Sequence, residues 1–84
     1  NTLTMSLNLR IVSPEKVEFV GEADRVIVPG SCGQFEILVG HAPIISTLES
    51  GRIVYFDSEG EHEVKAMGGF VEVQNNNVNI CVEL

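Results

Sequence analysis

Apolar and polar residues alternate with a period of two along nearly the whole chain, and this leaves little choice of fold. Leu7, Leu9 and Ile11 alternate with Ser6, Asn8 and Arg10, the mark of a strand with one buried face. Ser13-Pro14-Glu15 breaks that strand, because proline has no N–H to give to a ladder. Val17 and Phe19 alternate with Lys16 and Glu18 in a second strand, and Val26 and Val28 with Arg25 and Ile27 in a third that stops at Pro29-Gly30. Phe35 to Leu38 and Ile44 to Leu48 make two more. Gly51 opens the almost continuously apolar run Ile53 to Phe56, Ser58-Glu59-Gly60 turns the chain, and Glu61 to Met67 returns along it. Gly68-Gly69 reads as a tight bend, since glycine takes positive φ without a Cβ clash. Phe70, Val71 and Val73 follow, and Asn75-Asn76-Asn77 tolerates the left-handed geometry of another hairpin. Val78, Ile80 and Val82 close the chain in alternation with Asn77, Asn79 and Cys81. No window holds a helical apolar period over several turns, and Gly and Pro interrupt every candidate. The expectation is an all-β protein, a flattened antiparallel β-sandwich of about nine or ten short strands in two sheets. Leu7, Leu9, Ile11, Val26, Val28, Ile53, Val78 and Ile80 should point inward.

A chain of 84 residues makes one domain, burying roughly 60% of its unfolded surface. The sandwich is assigned to residues 5–84. Asn1 to Thr4 read either as a native extension or as added residues, with Met5 able to serve as a start. The formal charge is −7, from five Lys and Arg against twelve Asp and Glu. Such a balance repels phosphate backbones and anionic lipid, so nucleic acid is excluded as a partner and basic protein surfaces fit better. No apolar run approaches the ~20 residues of a membrane span, so direct lipid insertion is not expected. Cys32 and Cys81 lie far apart, unlike the dense disulfide framework of a small secreted domain, and read as a reduced pair. Cys81 is expected to be a small buried hydrophobe, and Cys32 to lie exposed in a turn.

Catalytic constellations are not found. His41 and His62 lack metal-ligand spacing to a second His or Cys, and Gly30-Ser31-Cys32-Gly33 joins strand to strand and not strand to helix, so it makes no phosphate cradle. Glu59, Glu61 and Glu63 flank or follow a hairpin turn and read as solvated. No catalytic residue, cofactor, metal or small-molecule substrate is expected.

The segment Val28 to Pro43, V-P-G-S-C-G-Q-F-E-I-L-V-G-H-A-P, is the unusual one. It resembles the pattern V-x-x-P-G-x-x-G-E-[FL]-G-I-L-P-G-H-A-P of the ε subunits of F-type ATP synthases. Ile11-Val12-Ser13-Pro14-Glu15-Lys16, with Phe19 and Gly21-Glu22, is similar to the family's opening. Leu48 with Gly51, Ser58-Glu59-Gly60, Gly68-Gly69-Phe70-Val71-Glu72-Val73 and Asn77-Val78-Asn79-Ile80 resemble its later elements in order. The likeness covers about Leu7 to Val82. Gln34 departs from the usual Glu, Glu36 from Gly, Val39 from Pro, and Met67 from a small residue.

The resemblance implies a non-catalytic subunit of the central stalk of a rotary ATP synthase. It would link the γ subunit to the c-ring and couple proton translocation to ATP synthesis, peripherally, on the cytoplasmic face of a bacterial inner membrane. It places Ser31, Cys32, Gly33 and Gln34 at the c-ring, and Ser13, His41, Ala42, Pro43, Ser46 and Met67 at γ. Family members typically continue into a C-terminal helical hairpin. The expectation here is a naturally short form rather than a chain cut at a domain boundary. The competing reading is a generic β-sandwich interaction module of another assembly.

Overall fold

The computed structural model describes residues 6–84; Met5 and the possible extension at residues 1–4 lie outside the described residues. Nine strands account for most of it: β1 (Leu7–Val12), β2 (Val17–Ala23), β3 (Arg25–Gly30), β4 (Gly33–Leu38), β5 (Ile44–Leu48), β6 (Gly51–Asp57), β7 (Gly60–Ala66), β8 (Gly68–Gln74) and β9 (Asn77–Glu83). No helix occurs among the described residues.

The strands form one curled ladder in the order β2-β1-β9-β8-β5-β3-β6-β7, with β4 on the other side of β3. Between β5 and β3 the link is a single residue pair, Gly30 with Leu48. The ladder folds over there, and two layers result: β2-β1-β9-β8-β5 facing β4-β3-β6-β7. Antiparallel pairing holds throughout except between β1 and β9, which run parallel from Asn8↔Asn77 to Val12↔Cys81. Period-two patterning fixes which residues face inward and says nothing of strand direction, so this pair was not foreseen.

The eight expected inward residues are all buried, with Ile37, Val71, Val73 and Val82 completing the centre of one shared core. Hairpin chemistry sits where the residues require it. Asn75 and Asn76 take φ of 52° and 64° between β8 and β9, both central positions of the turn being left-handed, as the right-handed twist of a tight hairpin prefers. Ser31-Cys32 joins β3 to β4 ahead of Gly33 at φ +127°.

Gly68-Gly69 does something other than make a hairpin bend. The chain passes at Met67 from β7 in one layer to β8 in the other, without β7 and β8 pairing. Cys81 also departs from expectation: it lies on the outer side of β9, half-buried and free, because Val78, Ile80 and Val82 take the inner side. Cys32 is free and exposed in its turn.

Candidate interaction surface

Strand register divides the resemblance-derived positions between the two ends of the sandwich. Ser13 follows Val12, which pairs with Cys81; Gly69 pairs with both Leu48 and Val82. The β1–β2 turn, Met67, and the Ser31–Gln34 hairpin next to Gly30 therefore share one end. Met67 is 68% exposed, and its N–H donates to the carbonyl of Glu83. Ser31 is tied to β5, its N–H donating to the Thr47 carbonyl at 3.0 Å and its Oγ lying 2.6 Å from Thr47 Oγ1. Ser13 Oγ contacts the Lys16 carbonyl and Glu18 Oε2, so it caps its own turn.

His41, Ala42 and Pro43 lie at the opposite end, ahead of Ile44, which pairs with Val73. From Ile44 to Leu48 the strand rises on the order of 13 Å. The Gly40 N–H donates to Asn76 Oδ1 at 2.8 Å, which binds this loop to the β8–β9 turn. His41 Nδ1 lies 2.7 Å from the Ala42 carbonyl. A carbonyl only accepts, so Nδ1 carries the proton and Nε2 is left for another partner. Histidine here pins its own loop while keeping one ring nitrogen available. Ala42 and Pro43 are exposed. Ser46 is half-buried at mid-strand, on the side of β5 that faces the core, and its Oγ donates to the Thr47 carbonyl.

Other residues, not singled out from the sequence, lie beside these positions. On the outer side of the five-stranded layer, the register aligns Val17, Val12, Cys81, Phe70 and Thr47 in one row across β2, β1, β9, β8 and β5. Val12, Pro14, Phe70 and Cys81 line a shallow groove of about 290 Å³ whose rim includes Ser13 and Glu83. Ile45 is 75% exposed beside Glu72, and a second shallow depression joins it to Pro43 and Gln74. The signal was present in the sequence. Ile44-Ile45 and Phe70-Val71 are adjacent apolar pairs, and in a half-buried strand one member of each must face out.

A further cluster lies inside the other layer. His62 Nε2–H donates to Asp57 Oδ1 at 2.8 Å, and the ring stacks on Tyr55 at 5.0 Å. That bond, then the N–H of Glu59, hold the Asp57 carboxyl below its usual range. Burial, then the Asp57 charge, push the Tyr55 hydroxyl above its own. Among the described residues no group of three or more His, Cys, Asp or Glu side chains is placed to hold a metal ion.

A sequence profile of the family described as "ATP synthase, Delta/Epsilon chain, beta-sandwich domain" matches residues 6–84. The chain belongs to that family. Among curated relatives, the ATP synthase epsilon chain of Leptospira borgpetersenii serovar Hardjo-bovis is 42% identical over 77 residues, covering 92% of this chain and 61% of the relative. The epsilon chain of Gloeothece citriformis is 40% identical over 78 residues, covering 93% of this chain and 56% of the relative. This delta/epsilon β-sandwich thus spans 56–61% of the length of those relatives. Its fold matches a chain in the Euglena gracilis mitochondrial ATP synthase structure titled OSCP/F1/c-ring, with a TM-score of 0.87 at 16% identity, covering 98% of this chain and 53% of that one. A chain in the central stalk/c-ring structure of the Tetrahymena thermophila enzyme matches with a TM-score of 0.78 at 15% identity, covering 96% and 66%. At such identities the likeness is one of fold. The delta/epsilon family's sandwich is the architecture built above from alternation and register.

Proposed function

We propose that this delta/epsilon β-sandwich is a non-catalytic central-stalk subunit of a rotary ATP synthase, seated between the γ subunit and the c-ring. In that place it helps couple proton translocation to ATP synthesis, held peripherally at the cytoplasmic face of a bacterial inner membrane by the complex. The observation that carries the reading is the family match over residues 6–84, with epsilon chains among the relatives at about 40% identity.

The mechanics fit a transmitting part. A stalk element must resist compression, and close-packed apolar side chains between two layers do so. It must also hold its partners over an area of roughly 1,000 Å² or more. The exposed Ser31–Gln34 hairpin projects from one end and is the segment assigned to the c-ring. Ser13, Met67, Ser46 and the His41–Pro43 loop are assigned to γ. Gln34 offers a neutral amide where the family more often carries a carboxylate, so this c-ring contact rests on hydrogen bonds more than on charge.

Retention of γ tests the reading. The unmodified chain should hold γ from the same genome through a pull-down. Ala42→Arg sets a bulky charge at an exposed position on the assigned surface and should weaken γ binding by about 2 kcal/mol, with the circular dichroism of the free chain unchanged. Undiminished binding by the folded variant removes this loop from the interface. Failure of the unmodified chain to bind γ overturns the stalk assignment.

A further inference from the structure

The chain crosses from β4 in one layer to β5 in the other through residues 39–43. Val39, Ala42 and Pro43 are exposed, so none of them roots this loop in the core. Most of its polar contacts are local. The His41 N–H donates to the Leu38 carbonyl at 3.0 Å, and His41 Nδ1–H donates to the Ala42 carbonyl. The His41 ring lies 6.2 Å from that of Phe35, on the strand that leads into the loop. Contacts of this range set the shape of a loop and leave it free to swing as a unit.

One bond reaches further. Among the described residues, the Gly40 N–H to Asn76 Oδ1 bond, at 2.8 Å, is the only hydrogen bond that ties this loop to a distant part of the chain. Asn76 is a firm base for it. Its φ of 64° is one that asparagine tolerates, and its own carbonyl accepts the Asn8 N–H at 2.8 Å, so the turn is tied to β1 as well as to β8 and β9. Asn8 Nδ2 adds a bond to Asn77 Oδ1 at 3.2 Å. Asn75 has nearly the same backbone, with φ of 52°, but is exposed and makes no side-chain bond to the loop.

We infer that Asn76 is a positioning residue, whose side chain holds this loop in the attitude that presents His41 Nε2 and Ala42 to γ; the inference rests on the central-stalk reading, which assigns the loop to γ. Asn76 needs no contact with γ to act in this way. A loop already held in its bound arrangement loses less conformational freedom on association. Released from Asn76, it is in place for only a fraction of the time, and the apparent affinity falls by that fraction. The fold itself depends little on this side chain, which is half-buried at a turn and outside the apolar core.

The experiment compares the unmodified chain with Asn76→Gly, Asn76→Asp and Asn75→Gly. Glycine accepts positive φ at either position, so both glycine variants keep the turn, and only the first removes the acceptor. Asn76→Asp keeps an acceptor oxygen and serves as the rescue. Asn76→Gly should speed amide exchange at Gly40 about 5-fold and weaken isothermal titration of γ from the same genome by a similar factor, the scale of one net hydrogen bond. Asn75→Gly and Asn76→Asp should stay within about 2-fold of the unmodified chain in both measurements, and melting midpoints of the two glycine variants should agree. Weakening by Asn75→Gly to the same degree would assign the effect to the shape of the turn and overturn the inference. So would an Asn76→Gly chain that loses protection at Gly40 yet binds γ as tightly as before; the stalk reading would then stand. If the unmodified chain fails to bind γ, the stalk reading falls and the inference falls with it.

Discussion

At Gly69 the chain runs at φ +138°, and a Cβ there would collide with the carbonyl oxygen of Cys81 on the neighbouring strand. Both strands are central and the collision is with backbone, so no side-chain rotation relieves it. Gly33 has nearly the same φ, +127°, yet a Cβ there would meet nothing within 4 Å. The two glycines separate conformational strain from steric overlap. Gly33→Ala should cost about 1 kcal/mol, the scale of a non-glycine residue at positive φ. Gly69→Ala adds displacement of a packed ladder and should cost about 3 kcal/mol or more. Urea unfolding midpoints of the two variants check this, and equal losses would mean that the β8–β9 approach is easily relaxed. From the sequence the glycine pair was legible as a place needing φ > 0. That Gly69 faces a carbonyl was not legible, because the partner residue arrives from a separate strand.

The β6–β7 hairpin shows what a single element contributes through charge. Asp57 accepts from His62 Nε2–H and from the Glu59 N–H, each at 2.8 Å, so its ionised form is favoured in the folded chain. A carboxyl depressed on folding stabilises above its unfolded pKa of about 3.9 and loses that contribution as pH falls through the lower folded value. Asp57→Asn should therefore be less stable than the unmodified chain at neutral pH, and the gap should begin to close as pH falls below about 3.9 and go on closing through the lower folded value. A gap unchanged down to pH 2.5 in urea titrations would assign the loss to shape and not to ionisation. Elements of this kind are read well from sequence, since Ser58-Glu59-Gly60 and Asn75-Asn76 are short-range signals. The parallel β1–β9 pair is of another kind. It joins Asn8 to Asn77 across the length of the chain, and nothing local at either residue encodes the direction in which they meet. The same gap hid the outer face. Phe70, Cys81 and Val12 are three ordinary strand residues until the register lines them up, while the motif around His41 to Pro43 stood out because it is contiguous.

On the scale of the whole molecule, the ladder is closed at one side and open at the other. It folds through the Gly30–Leu48 pair, and its two ends, β2 and β7, do not pair with each other. What spans the open side is aromatic contact: Phe19 on β2 lies against Tyr55 on β6 at 4.4 Å between centroids, with His62 stacked behind. Only the Asp24 N–H, which donates to the Phe56 carbonyl at 2.7 Å, ties the end of β2 to β6 by a backbone hydrogen bond among the described residues, so this seam is the least tied part of the sandwich. Its strength is measurable by a cycle of Phe19→Leu, Tyr55→Leu and the double variant. Tilted aromatic pairs couple by about 1 kcal/mol beyond their buried area, so the double variant should be more stable than the summed single losses predict by about that amount. The singles should also raise amide exchange along β2 before β8 and β9, whose central position leaves them protected by partners on both sides. Strict additivity, or exchange that rises uniformly over all strands, would show that the seam is held by core packing at large. In that case the sandwich would have no soft side, and stiffness would be a property of the closed core alone.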